Sequence, residues 1–186
     1  MGKKRICVLT LLVTFIMIFT NVFAQKTTEE AYSKGVEYGR QGKYDEAISE
    51  FSKAIEINPN LAKAYNDRGL SYFYKILVEE ACKNVYSAYK KVVENSPDYT
   101  VYQNTPSQNY SKKEHQGNYE QAISDLNKAI EINPELAEAY NNRALIYYKQ
   151  GNYNKAWEDV HKAESLGYKV NPEFIEKLKK TSGREK

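Results

Sequence analysis

An all-α fold, built as a stack of helix–turn–helix hairpins with a capping helix at its carboxy end, follows from three observations. The first is a duplicated block: residues 47–75 read AISEFSKAIEINPNLAKAYNDRGLSYFYK, residues 122–150 read AISDLNKAIEINPELAEAYNNRALIYYKQ, and 18 of the 29 paired positions are identical. The second is that each copy contains one helical stretch ending at Asn-Pro (Asn58-Pro59, Asn133-Pro134) and another opening with Leu-Ala. Proline cannot continue a helix and drives the preceding residue out of the α region. The third is that apolar residues recur at helical rather than strand spacing throughout. A single hairpin cannot bury its apolar face alone, so hairpins of this kind share a core by stacking.

The recurring residues are specific. Gly35, Tyr38, Gly42, Tyr44, Ala47, Phe51, Ala54 and Pro59 form one set, and Tyr65, Gly69, Tyr72, Ala81, Val85 and Ala88 continue it. Gly117, Tyr119, Ala122, Leu126, Ala129 and Pro134 form another, followed by Tyr140, Ala144, Tyr147, Gly151, Tyr153, Ala156, Val160 and Ala163. At these spacings the chain resembles the tetratricopeptide repeat (TPR) family from about Thr28 to Gly167, a family with a 34-residue helix–turn–helix period. The resemblance implies an α-solenoid coiled as a right-handed superhelix. Small residues let paired helices approach, and aromatic and aliphatic ones fill the spaces between them.

In chain order, Met1–Ala24 has a basic start, an apolar run from Ile6 to Phe19, and Val22-Phe23-Ala24 before Gln25. Small residues at the first and third positions before the cut fit a secretory signal over 1–24, with an uncleaved membrane anchor at about 6–20 as the alternative. Export to the periplasm or the medium follows from the first reading, and membrane association only from the second. Lys3, Lys4 and Arg5 carry the whole net charge of +3, so the rest has 24 basic and 24 acidic residues. That balance gives no support to nucleic-acid binding. Loss of Cys7 with the leader leaves Cys82 without an internal partner, and its neighbours predict a small buried residue.

The first repeat, about 28–61, pairs a helix near Thr28–Arg40, capped at Thr27 or Thr28, with one near Tyr44–Ile57. The second spans about 62–95. It lacks the turn glycine that the others have at Gly42, Gly117 and Gly151, carrying Ile76-Leu77 instead. Two readings follow. A turn near Ile76 puts Val78, Ala81, Cys82, Val85, Ala88, Tyr89 and Val92 on the apolar stripe of a second helix, whereas an insertion over 76–115 splits one repeat. The blocks lie 75 residues apart, two periods plus seven, and this spacing favours the turn. The third repeat, about 103–136, has a degraded first helix, because Ser96–His115 holds two prolines and little apolar periodicity. Thr105-Pro106 suits a short helix start there, and Tyr99, Tyr102 and Tyr110 suit packing over a long loop. The fourth spans about 137–168 and stops at Leu166-Gly167. Asn171-Pro172-Glu173 opens a capping helix over 171–180 with Phe174, Ile175 and Leu178 on one side, and 181–186 form a tail. LGYKVNPEFIEKLKK resembles the ending of small bacterial members of the family.

No catalytic constellation, metal set or cofactor-binding loop is visible. His115 and His161 have no useful spacing to each other or to Cys82, and each glycine noted has a turn or packing role. The sequence therefore reads as a non-catalytic adaptor of the bacterial envelope, with a self-associating structural subunit as the alternative. The family resemblance implies a concave groove lined by the first helix of each hairpin, which takes a peptide or partner helix. On this chain it comprises Tyr32, Val36, Asn66, Leu70, Phe73, Asn141, Asn142, Leu145 and Tyr148. Some members hold acidic chaperone tails through Lys, Asn and Arg. Here the corresponding positions carry Tyr32, Val36, Asp67, Glu138 and Asn142, a set that disfavours such tails.

Overall fold

The structure, a computed structural model, describes residues 22–184 except 94–111. Among them lie seven α-helices: α1 (22–40), α2 (Tyr44–Ile57), α3 (Ala62–Val93), α4 (Lys112–Ile132), α5 (Ala137–Lys149), α6 (Tyr153–Ser165) and α7 (Pro172–Ser182). They form an all-helical repeat solenoid.

Glycine and Asn-Pro make the turns. Gly42, Gly151 and Gly167 sit at φ of 74°, 77° and 84°, a left-handed conformation that a side chain disfavours. Around each, two backbone bonds close the helix end: Gly42 N–H donates to Gly39 O and Lys43 N–H to Tyr38 O, with equivalent pairs at Gly151 and Gly167. At Asn58 and Asn133 the side-chain oxygen accepts from the backbone N–H two residues on, at 3.1 Å in both cases. The asparagine thus builds the turn that the proline permits.

No turn forms at Ile76, which corrects the favoured reading of the second repeat. α3 runs through it as one helix of 32 residues. A β-branched residue cannot take the left-handed stop that glycine provides elsewhere. α4 likewise passes through Gly117 without turning. The first half of α3 instead pairs, antiparallel, with α4.

The side chains define this pairing. Arg143 grips Asp159 with two bonds, Nε to Oδ2 at 2.8 Å and Nη2 to Oδ1 at 2.7 Å, across 16 positions. Arg68 grips Asp125 in the same way, both bonds at 2.8 Å, across 57 positions. Each arginine also reaches back to the preceding hairpin, Arg143 Nη1 to Asn127 Oδ1 at 2.6 Å and Arg68 Nη1 to Ser52 Oγ at 2.9 Å, both across 16 positions. The two clamps are equivalent except for 41 extra residues between Arg68 and Asp125, the difference between 57 and 16. The block spacing is therefore one period plus 41, and 76–116 form an insertion within one repeat. Three hairpins result: α1/α2, α3/α4 and α5/α6. The degraded first helix expected before α4, with Thr105-Pro106 and the tyrosines at 99, 102 and 110, falls within or beside 94–111, outside the described residues.

Close approach repeats as well. A Cβ on Gly35 would lie 2.6 Å from Phe51, and one on Gly69 would lie 2.9 Å from the Ala122 carbonyl and 3.2 Å from Leu126. Around these contacts one core cluster holds Ala31, Ala54, Ile55 and Ala64, and a second holds Phe73, Ala122, Leu126, Ala129, Ala139 and Ile146. A third joins α5 and α6 to Phe174 and Leu178 of α7. Asn171 caps α7 by accepting from Glu173 N–H at 2.8 Å. α7 extends past the expected tail boundary: Thr181 bonds back to Lys177 O, and Ser182 Oγ accepts from Trp157 Nε1 at 3.1 Å.

Three other expectations change. Thr27 and Thr28 do not cap α1, because the helix passes through both and their hydroxyls donate to carbonyls at positions 23 and 24. Cys82 is exposed rather than buried. Its stripe neighbours Val78 and Val85 are 49% and 70% exposed, since this part of α3 lies beyond the hairpin core.

The two kinds of helical glycine separate on substitution. Gly69→Val, forced against backbone, should lose about 1–3 kcal/mol in urea unfolding. Gly39→Ala, where an added Cβ meets nothing within 4 Å, should gain about 0.5–1 kcal/mol. Equal effects at both positions would contradict the packing described.

Candidate functional site

The first helices of the three hairpins, α1, α3 and α5, share one face, and a chain of hydrogen bonds crosses it. Asn141 Nδ2 donates to Asn142 Oδ1 at 3.5 Å, Asn142 Nδ2 to Asn66 Oδ1 at 3.0 Å, and Asn66 Nδ2 to Asp67 Oδ1 at 2.8 Å. From the other side Tyr32 OH donates to Asp67 Oδ2 at 2.7 Å. Every donor points toward Asp67. The amides are largely consumed by one another, with Asn66, Asn141 and Asn142 only 3%, 9% and 8% exposed. Buried polar groups need such partners, so this chain aligns the repeats as well as lining the groove.

Asp67 ends the chain and differs electrostatically from its buried relatives. Asp125 and Asp159 each hold an arginine in a two-bond ion pair, whereas among the described residues no cation lies within ion-pairing distance of Asp67. Burial pushes its carboxyl above the ordinary value, Glu138 adds repulsion, and the bonds from Tyr32 and Asn66 pull the other way. The Tyr32 hydroxyl is itself pushed up, first by burial and then by donating its proton to the negative Asp67.

Beside Asp67 a cavity of about 250 Å³ opens between α1 and α3. Its lining is mostly apolar, with Val36, Phe51, Leu70 and Tyr74, while Asp67 and Arg40 also reach it. Gly39 borders it and leaves room where a side chain would stand. Tyr44 and Tyr74 stack beside it with ring centroids 5.7 Å apart.

The structure thus brings together six of the nine residues read as groove-lining. Tyr32, Asn66, Asn141 and Asn142 lie on the hydrogen-bond chain, and Val36 and Leu70 line the cavity. Phe73 is a correction: it is 3% exposed and fills the core against α4, with Tyr119 at 6.3 Å between ring centroids. Tyr148 is held by the carboxy-terminal cap, edge-on to Phe174 at 5.6 Å with its hydroxyl 3.5 Å from Thr181 Oγ1. Leu145 packs between two core clusters. The alignment of α3 with α5 could not distinguish a groove position from a seam between repeats. In the sequence Gly39 looks like Gly35, a helical glycine suited to close packing, yet an added Cβ at Gly39 meets nothing within 4 Å whereas one at Gly35 meets Phe51. Among the described residues no group of three or more His, Cys, Asp or Glu is placed to hold a metal ion, and no helix is long and apolar enough to cross a membrane.

Comparison with known proteins matches the family described as TPR repeat at residues 35–75 and 115–151, and that described as tetratricopeptide repeat at 137–166. The first match skips 76–114, all but the last two residues of the insertion. Human tetratricopeptide repeat protein 6 is 32% identical over 136 residues, covering 73% of this chain and 25% of the relative. Hsp70-Hsp90 organizing protein 3 of Arabidopsis thaliana is 24% identical and covers 85% of this chain and 21% of its own length. The chain thus spans about a quarter or less of these relatives. Among solved structures, the first TPR of Spaghetti (RPAP3) bound to the HSP90 peptide SRMEEVD aligns with a TM-score of 0.57 at 21% identity, over 85% of this chain and 92% of that one. The Arabidopsis OM64 TPR domain aligns at 0.59 and 17% identity, over 84% and 98%. At these identities the likeness shows the fold.

The carboxyl of Asp67 should titrate above its ordinary value by carbon-detected NMR, and Tyr32→Phe should raise it further by removing a bond to the ionised form. The sign for stability follows. A folded-state value above the unfolded one means that folding favours the protonated group, so this contribution falls as pH rises between the two values. A titration at or below the ordinary aspartate value would contradict the site's electrostatics.

Proposed function

Because the chain belongs to the tetratricopeptide repeat family, we propose that it is a non-catalytic adaptor whose face formed by α1, α3 and α5 holds an extended segment or helix of a partner protein. The observation that carries this reading is the apolar cavity between α1 and α3, open beside a carboxylate that no cation among the described residues pairs with directly. Solved relatives in this fold hold the HSP90 peptide SRMEEVD and the HSP70 peptide SGPTIEEVD. Both peptides are acidic, and Asp67 with Glu138 on this face opposes them. The partner class is therefore different from those chaperone tails.

The location we propose is the bacterial envelope or the medium. Its support is the basic, apolar leader over 1–24 together with the ending LGYKVNPEFIEKLKK. Val22 and Phe23 are 60% and 64% exposed, so loss of the leader through Ala24 removes no core side chain from this part of α1. A second reading, self-association, rests on the exposed Val78 and Val85 of the α3 extension.

Site-specific photocrosslinking in the native cells decides between the two. A photoreactive residue at Val36 should capture a partner protein, one at Lys128 should not, and the adducted chain should begin at Gln25 by mass. Adducts only from position 85, at the mass of two copies of this chain, would reject the groove in favour of self-association.

A further inference from the structure

We propose that the cavity between α1 and α3 takes one apolar side chain of the partner segment, and that a lysine or arginine two positions away on that segment lies against Asp67. This rests on the groove reading and specifies what the groove selects. At about 250 Å³ the cavity is smaller than the roughly 300–1,000 Å³ of small-molecule sites, and its Val36, Phe51, Leu70 and Tyr74 lining suits a single aliphatic group.

The charge requirement comes from Asp67. Its two oxygens accept from Tyr32 and Asn66, both neutral donors, so neither bond brings a positive charge to the carboxylate. Lys63 lies one turn earlier on α3, close enough to be felt but outside ion-pairing distance, and Glu138 adds a second negative charge from α5. A cation supplied by a partner relieves both the repulsion and the burial cost. Arg40 reaches the same cavity from the end of α1. It therefore repels a cation there and fixes the segment's orientation, with the basic residue toward Asp67.

The spacing follows from helix and strand geometry. Asp67 precedes Leu70 and Ser71 by three to four residues, which is about 4.5–6 Å along a helix axis. Side chains two apart on an extended peptide lie on one face at about 6.6 Å. A basic residue and an aliphatic one separated by a single residue therefore fit the carboxylate and the cavity together.

The test uses the purified full-length chain and three immobilised nonapeptide pools: one with Lys and Leu fixed two apart in either order, one with Glu for the Lys, and one with Ser for the Leu. The Lys/Leu pool should bind about tenfold better than either control. Asp67→Asn should abolish discrimination between Lys and Glu while keeping the preference for Leu. Gly39→Leu, which fills open space, should abolish the Leu preference with the circular dichroism melt unchanged or raised. Equal binding of the Lys and Glu pools, or discrimination that survives Asp67→Asn, would overturn this inference. Should Gly39→Leu still weaken binding in that case, the groove reading would stand by itself. If Gly39→Leu changed neither pool binding nor capture from Val36, the groove reading would fail too.

Discussion

The structure depends on the contact at Gly69, where α3 approaches α4 so closely that a Cβ would stand 2.9 Å from the Ala122 carbonyl. Only a residue without a side chain permits that distance, and beside it Arg68 holds Asp125 with two bonds. The partly buried ion pair is demanding: removing one partner leaves the other desolvated and uncompensated. Glycine and clamp together therefore mark α4 as the hairpin partner of α3. Gly35 against Phe51 does the same for the first hairpin, and Arg143 with Asp159 for the last.

Once α3 and α4 are one hairpin, α1, α3 and α5 become neighbours along one face. That adjacency lets Tyr32 and Asp67 meet across 35 positions and Asn66 and Asn142 across 76. Had the third hairpin expected from spacing intervened, the hydrogen-bond chain would have been broken between Asn66 and Asn142. The insertion lengthens two helices of one repeat and leaves the groove continuous. The outlier on this face is Asp67, a carboxylate desolvated by its surroundings whose hydrogen-bond partners among the described residues are the neutral Tyr32 and Asn66.

Much of this was legible in the residues. The duplicated block, the Asn-Pro turns, the glycine stops at 42, 151 and 167 and the cap at Asn171 all read correctly, because each is a local backbone requirement. The second repeat did not. Val78, Cys82, Val85 and Tyr89 recur at helical spacing, and such a stripe looks the same whether it belongs to a paired second helix or to an extension of the first. The missing glycine at Ile76 was the stronger signal, since it removed the means of turning. The site was legible in part. Six of the nine positions read from the first helices lie on the hydrogen-bond chain or at the cavity, but burial depends on neighbouring repeats, which put Phe73 in the core and left Asp67 facing the cavity.

The most direct test of this architecture removes residues 76–116 and joins Lys75 to Gly117, which restores an uninterrupted period across the second hairpin. Thermal unfolding followed by circular dichroism should show a helical protein with a single cooperative transition, and Arg68→Ala should destabilise it by about as much as it destabilises the full chain. A deletion variant that is unfolded, or one in which Arg68→Ala has no effect, would contradict the assignment of α3 and α4 to one repeat.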